Sequence, residues 1–490
     1  MGQPLRGLRL LVTDLDLQQR EHRGIAVFSK AMLKALKDSG AEIWLLTDFE
    51  PRLEKSVYKN LPKRACDLIY AARVMEGLME GHNWLHSPYW ETKLSKWQAL
   101  ARLHKKWLRL LEILDWLAHR NYATDAMVKV NLLEQFDSPY FRQEKLSYFG
   151  NLDGILCARY LYLNASRRAL ARRPSSLPIK LGNEFDGLIT TCPINIRVEG
   201  KGCLVQTVHD LIPLEYVQTS DHVANFGQRL NSCLPARKLY VSQATRKKFE
   251  QAYGSANDAG GIVILQPPSL KFPAKEHRGL LEQKVLRPSL RTKNHHGELV
   301  PFRYLLFNSS VEPRKNLLFA VKAFRISGLA EHGIRLCVTG MLKKDSYSRE
   351  VAKQADESVL LTGYIDEATK SNLFLHAMAV ISPSLVEGFG IPVLDGACIG
   401  APVIASPSVA HREIQASQDF RELIWLCDTL DPTTWAEAMG QIAKAEMARI
   451  GDPQAERQRR LSRYDTVSAA ILEDFRRKIC EQVKPDQLSK

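Results

Sequence analysis

With 490 residues the chain is too long for one ordinary hydrophobic core and predicts two domains of roughly 200 residues or more. Hydrophobic residues at 45% and charged residues at 25% are globular values, which exclude a disordered or fibrous chain. A net charge of +14 favours phosphate-rich partners, without separating nucleic acid, an anionic membrane surface and nucleotides.

The chain opens on an apolar run at 8–13, too short and interrupted for a signal sequence, followed by a polar loop carrying Arg23-Gly24. Ile25, Phe28, Met32, Leu33 and Leu36 then fall on one face of a helix, and 41–47 is a second apolar run. Strand, loop, helix and strand begin a parallel α/β domain. Residues 52–182 read as mostly helical. Within them, 97–117 sets Leu100, Leu103, Trp107, Leu110, Leu111 and Leu114 on one stripe and Arg102, Lys105, Lys106 and Arg109 on another, an amphipathic helix with a basic face. From 154 to 183 there are six cations (Arg159, Arg167, Arg168, Arg172, Arg173, Lys180) and no acid. Packing of one face with the other in water accounts for both segments, and an anionic membrane surface would suit the same charges. Strands resume at 187–191 and 203–208, the latter running straight into His209-Asp210.

Residues 266–301 are rich in Pro, Lys, Arg and His, lack a period, and read as a linker or long irregular loop. Alternation restarts with strands at 304–307, 335–339, 359–362 and 379–382 and helices at 316–327 and 345–355, which implies a second doubly wound sheet. The C-terminal end is again helical and basic. The predicted division is 1–270 for the first domain, with a helical insertion at about 52–182, 271–300 for a linker, 301–465 for the second domain and 466–490 for a C-terminal helix. Nine scattered cysteines form no Cys-x-x-Cys pair, which argues against a zinc ribbon or a disulfide framework and fits a reducing, cytoplasmic compartment. No apolar stretch reaches the roughly 18 residues of a membrane span.

Three constellations carry chemistry. Ser382-Pro-Ser-Leu-Val-Glu387-Gly388-Phe389-Gly390-Ile391-Pro392-Val393-Leu394-Asp395 follows a buried strand and runs into a helix, at the carboxyl end of a parallel sheet where ligands collect. Its glycines allow close backbone approach, the helix start offers N–H groups to an anion, and Glu387 and Asp395 could grip hydroxyls at two ends of an extended ligand. Read blandly, the stretch is a glycine turn with two solvated acids. Glu312-Pro313-Arg314-Lys315-Asn316 places two cations at a helix start, where the dipole opposes them, so an anionic ligand or a surface pair facing water accounts for them. His209 ends a strand, where it could touch substrate or serve as a structural histidine bonded to the following loop.

Together these features resemble the retaining family 4 glycosyltransferases, which have the two-domain GT-B fold. The resemblance rests on Glu387 with Asp395 as a Glu-x7-Glu signature, the 312–316 turn, Leu-Thr-Gly-Tyr-Ile-Asp at 361–366, Val-His-Asp-Leu-Ile-Pro at 208–213 and the loop Arg23-Gly24-Ile25-Ala26. It is close over about 305–415 and patchy over 8–48 and 186–250. It implies an α/β GT-B chain of two Rossmann-like doubly wound domains facing a central cleft. It implies that Arg314 and Lys315 hold a donor diphosphate. Glu387 would bind the donor sugar, with the amides of Gly388, Phe389 and Gly390, and Ile391 after them, lining the same pocket. Asp395 would bind the ribose, Tyr364 would lie near the base, and His209, with Asp210 beside it, would face the reacting sugar. Gly24 would let the first loop close on the diphosphate.

Asp395 is one methylene shorter than the family's Glu, and Ser309 stands where some members carry an Arg. The implied reaction transfers a hexose, with weak preference for mannose, from a GDP- or UDP-sugar to a glycan or lipid-linked acceptor. It retains anomeric configuration and uses neither metal nor cofactor. Asp14-Leu15-Asp16 could be read as a metal-binding Asp-x-Asp but lacks that fold's context. A nicotinamide dehydrogenase is set aside because no Gly-x-Gly-x-x-Gly follows the first strand. Nucleic-acid binding has only net charge behind it. A non-catalytic GT-B scaffold or a GT-B epimerase are the remaining alternatives.

Overall fold

The computed structural model describes residues 3–17, 24–49, 60–80, 122–132, 144–216, 222–254, 260–273, 285–293, 296–417, 420–449 and 452–484. The chain divides into two compact units, Met1–Val241 with Arg246–Ile264 and Asp474–Lys490, and Ser242–Thr245 with Leu265–Glu473.

The first unit is built on β1 (Arg9–Thr13), β2 (Glu42–Thr47), β3 (Tyr122–Ala123), β4 (Val128–Asn131), β5 (Gly154–Cys157), β6 (Leu177–Lys180), β7 (Gly187–Thr190), β8 (Ile196–Glu199), β9 (Cys203–Val208), β10 (Arg237–Tyr240) and β11 (Ile262–Val263). Eight of these form one sheet in the order β11-β10-β9-β7-β1-β2-β5-β4, parallel except for β4 at the edge. A separate parallel sheet runs β3-β6-β8. Strands β5 and β7 are buried along their whole length, as expected where both faces of a sheet are covered. Leu11, Leu46, Leu156 and Leu188 join in one core from four neighbouring strands.

The mostly helical reading of 52–182 is corrected here. The helices Lys63–Glu80 and Leu161–Ala169 are present, but β3, β4, β5 and β6 lie in the same stretch. Strands of two to four residues are too short to leave a period that competes with flanking helical patterns. The helix read at 97–117 falls outside the described residues.

The second unit carries β12 (Arg291–Lys293), β13 (Leu299–Pro301), β14 (Arg303–Asn308), β15 (Ile334–Thr339), β16 (Val359–Gly363), β17 (Ala379–Ser382), β18 (Val403–Ala405) and β19 (Ile424–Leu426). Six form a wholly parallel sheet in the order β16-β15-β14-β17-β18-β19. Numbered from β14, this is the 3-2-1-4-5-6 order of the doubly wound fold, and its direction reverses between β14 and β17. Leu305, Phe307, Leu336, Val338, Ile381 and Ile404 pack with Phe324 and Trp435 in its core. Gly396 lets the helix Ile391–Ile399 sit close on the sheet: a Cβ there would lie 2.8 Å from Val403 and 2.9 Å from Val380.

The stretch read as a linker, 271–300, contains the β12–β13 hairpin and is tied to the helix Glu367–His376. Lys271 N donates to Ser371 Oγ, Ser289 N and Oγ donate to Asn372 Oδ1, and Asn372 Nδ2 donates to the Val285 carbonyl. The C-terminal helix is one element, Pro453–Val483, rather than a separate piece starting at 466. Among the described residues no helix is long and apolar enough to cross a membrane.

Candidate functional site

Strands β14 and β17 are neighbours, so their carboxyl-end loops emerge side by side at the reversal point of the second sheet. After β14 the chain makes a 3₁₀ turn, Pro313–Lys315, closed by Lys315 N donating to the Glu312 carbonyl and Asn316 N to the Pro313 carbonyl. Pro313 fits the first position because its missing N–H has no partner to lose. Asn316 adopts φ 56°, ψ 40°, a left-handed conformation that asparagine tolerates better than most residues, and the helix Leu317–Ile326 starts directly behind it. The two loops are stitched together by Leu385 N donating to the Arg314 carbonyl at 2.8 Å.

This arrangement brings Lys315 Nζ to 2.5 Å from Glu387 Oε1, both side chains nearly buried. Arg314 reaches Glu387 Oε2 at 4.0 Å and Glu312 Oε2 at 3.1 Å, and Lys343 Nζ bonds Glu312 Oε1 at 2.9 Å. Three cations therefore face two carboxylates, leaving one positive charge in the cluster. Burial alone would raise the Glu387 carboxyl, but Lys315 first, then the His411 ring when it carries a second proton, and Arg314 pull it down to about 2. Lys315 is pushed below the ordinary lysine range by burial, with Glu387 opposing the shift. A buried carboxylate held ionised by two cations at a sheet's carboxyl edge can accept sugar hydroxyls, while the cations and the excess charge suit a diphosphate.

The glycine loop follows. Gly388 O accepts from Ser242 Oγ at 3.1 Å, Phe389 is buried, and Gly390 takes φ 102° as it enters the helix Ile391–Ile399. A Cβ at Gly390 would lie 2.7 Å from His411 Cδ2, so the loop's close approach to that ring requires glycine. Tyr364, just past β16, is 55% exposed at the same edge of the sheet. Sequence spacing did not single out His411 or Lys343, because neither repeats a recognisable pattern and each matters only through what folding places beside it.

Asp395 lies on the helix Ile391–Ile399. It is fully buried, and its carboxylate oxygens accept from Ser269 N at 2.6 Å and from Ser269 Oγ. Burial raises it to about 6, against the pull of Lys370 and Ser269. In this structure Ser269 engages both carboxylate oxygens, and Asp395 ties the helix Ile391–Ile399 to the segment 265–270.

In the first unit, His209 is buried, edge-on to Phe28 with ring centroids 5.0 Å apart, and its Nε2–H donates to the Thr191 carbonyl at 2.7 Å. Burial pushes it down to about 4, with the Thr191 bond opposing, so the ring is neutral near pH 7. Asp210 Oδ1 accepts from Ile212 N at 3.1 Å at the start of the following helix. Gly24 is the first residue of the helix Gly24–Asp38, and Arg23 lies outside the described residues. Asp16 accepts from Ser29 and Thr191 hydroxyls, and Asp14 bonds Tyr162 Oη at 2.7 Å, so both carboxylates cross-link the core of this unit. Among the described residues no group of three or more His, Cys, Asp or Glu is placed to hold a metal ion.

Residues 303–445 match the family model described as Glycosyl transferases group 1. Over 116 residues the chain is 28% identical to the O-antigen chain mannosyltransferase B of Escherichia coli, a match covering 23% of this chain and 30% of that protein. The chain thus spans less than a third of the length of this curated relative. As a structure it is similar to the sucrose-phosphate synthase of Thermosynechococcus elongatus, with TM-score 0.51 and 13% identity over 96% of this chain and 98% of that one. The fold is GT-B. In this GT-B chain the stretch similar to group 1 glycosyltransferases contains Arg314, Lys315, Tyr364, Glu387, Gly390, Asp395 and His411, whereas Gly24, His209 and Asp210 lie outside it.

Two consequences can be measured. Gly390→Ala should lower stability by roughly 1–3 kcal/mol, since it adds both left-handed strain and a clash with His411. A denaturation midpoint equal to wild type would show that the loop yields instead. Because the Glu387 carboxyl is lowered from 4.5 to about 2, its ionised form stabilises the fold fully above pH 4.5, and that contribution fades as pH falls toward 2. The stability gap between wild type and Glu387→Gln should therefore close by about 3 kcal/mol over that window. Parallel acid profiles for the two proteins would contradict it.

Proposed function

We propose that this protein is a retaining, metal-independent hexosyltransferase of family 4 type, moving a sugar from a GDP- or UDP-sugar to a glycan or lipid-linked acceptor in glycoconjugate or polysaccharide assembly. The observation that carries the reading is the buried Lys315–Glu387 pair with Arg314 beside it, joined across two loops at the reversal point of the second sheet. Arg314 and Lys315 would take the donor diphosphate and stabilise its charge as it leaves. Glu387 would turn to the hydroxyls of the donor sugar, with the amides of Gly388, Phe389 and Gly390 alongside. Front-side attack with departure on the same face needs positioning and leaving-group stabilisation more than a strong base, which suits a His209 ring that is neutral and a weak base.

Mannose is preferred on the similarity to the O-antigen chain mannosyltransferase B. A cytoplasmic site of action with peripheral contact to an anionic membrane is part of the proposal. It is supported by exposed Leu163 and Leu170 near Arg168, Arg172 and Arg173, and co-sedimentation with anionic but not neutral vesicles tests it. One observation favours the alternative of a non-catalytic nucleotide-sugar-binding scaffold, namely the occupation of Asp395 by Ser269.

A donor screen decides between them. Purified protein is mixed with GDP- and UDP-sugars, with and without EDTA, while thermal stabilisation and slow donor hydrolysis are followed. The transferase reading expects one nucleotide to stabilise the protein and be hydrolysed, EDTA to change neither, and Glu387→Ala to abolish hydrolysis. Binding without hydrolysis or transfer to any acceptor would favour the scaffold, and loss of activity in EDTA would overturn the metal-free mechanism.

A further inference from the structure

His411 lies on the helix Val409–Ala416, after β18, and its side chain is completely buried against Gly390. Its Nδ1 is 2.8 Å from the Ser406 carbonyl oxygen, which can only accept, so the ring's proton sits on Nδ1. The Ser406 hydroxyl, 3.3 Å from the same nitrogen, donates to the Ser384 carbonyl at 2.5 Å and holds the β17 and β18 loops together. Nε2 is then a bare lone pair. It is buried beside the Cβ direction of Gly390, 2.8 Å from where that atom would be, and has no hydrogen-bond partner among the described residues. An orphaned buried nitrogen destabilises the fold, so its retention under the glycine loop calls for a function.

Burial pushes the His411 ring below the ordinary histidine range, and two charged groups act on it from other elements: Glu387, on the loop after β17, favours its protonation, and Lys315, on the turn after β14, opposes it. On its own helix, Glu413 spends its carboxylate on the backbone N–H groups of Gln243 and Ala244, and Arg412 is exposed. In the free protein Lys315 already satisfies Glu387. A diphosphate arriving at Arg314 and Lys315 would change that balance, because Lys315 would share its charge with the phosphates and Glu387 would lose its cation.

We propose that His411 is a positioning residue of this site, whose Nε2 takes up one proton from solvent when a nucleoside diphosphate engages Lys315, and so becomes the cationic neighbour that keeps Glu387 ionised and aimed. The inference rests on the donor-site reading above. The step forms one N–H bond at Nε2, with the proton supplied by buffer, and leaves the Nδ1–H to Ser406 bond unbroken.

Titration calorimetry with UDP, GDP and their sugars, in two buffers of different ionisation enthalpy, counts the protons taken up per molecule bound. Wild type should take up about one proton near neutral pH, and affinity should weaken as pH rises. His411→Asn keeps a donor for the Ser406 carbonyl but deletes Nε2, so it should bind more weakly with uptake near zero and a flat pH profile. If it does not fold, His411→Gln serves for the same comparison. Binding by wild type without proton uptake, or equal uptake in the variant, overturns the role of His411 alone. Failure of every nucleotide to bind overturns both this role and the donor-site reading.

Discussion

Lys315→Ala should cost about 3–5 kcal/mol of stability and roughly 100- to 1,000-fold in donor turnover, and the two losses should be separable. The stability loss arises because Glu387 would be left nearly buried without its closest cation, with Arg314 at 4.0 Å and His411 to answer it. Adding Glu387→Ala removes the stranded charge, so the double variant should regain most of the stability lost by the single one. Turnover should not return, since both the diphosphate contact and the sugar contact are then missing. Urea denaturation and donor hydrolysis measured on the two single variants and the double variant complete the cycle. A single variant less than about 1 kcal/mol weaker than wild type would mean that the pair is solvated like a surface ion pair. A double variant with near-normal turnover would remove the donor site from this part of the protein.

Arg460→Ala should be nearly as damaging, with no direct effect on the chemistry. The guanidinium is completely buried and bonds Glu446 at 2.8 Å, Glu456 at 3.1 Å and the carbonyls of Leu375 and Ala377. Those carbonyls lie at the C-terminal end of the helix Glu367–His376, just before β17, so one side chain ties the C-terminal helix to the strand that leads to Glu387. Truncating it removes the buried ion pair with Glu446 and the donor to two carbonyl oxygens, with an expected loss of about 3–5 kcal/mol. For a unit of this size that corresponds to a fall in Tm of roughly 10 °C. Arg477→Ala, which breaks exposed pairs with Asp474 and Glu481, should change stability by less than about 1 kcal/mol. Calorimetry on both variants tests the contrast, and equal effects would mean that burial does not govern the Arg460 cluster.

The second sheet was legible because each of its inner strands is a short apolar run covered on both faces, and runs such as 304–307 and 379–382 stand out between helical periods. Residues at strand ends were legible for a related reason. Gly388, Gly390, Arg314 and Lys315 break the apolar pattern where a parallel sheet exposes its ligand-binding edge. The first unit was harder to read. Strands β3 to β6 are two to four residues long and leave no periodic trace, and cationic character over 154–183 says nothing about whether the backbone is coiled or extended.

What the sequence by itself determined is the α/β alternation, the presence of two units, and which residues lie at the carboxyl ends of strands, because burial and backbone preference act locally along the chain. Only the tertiary structure decided which of those residues meet. Lys315 and Glu387 are 72 positions apart and become partners because the crossover from β14 returns the chain as its neighbour β17. The same packing joined Asp395 to Ser269 and put His411 beneath Gly390. Helix phase and strand order settle such contacts, and neither is a property of any local segment.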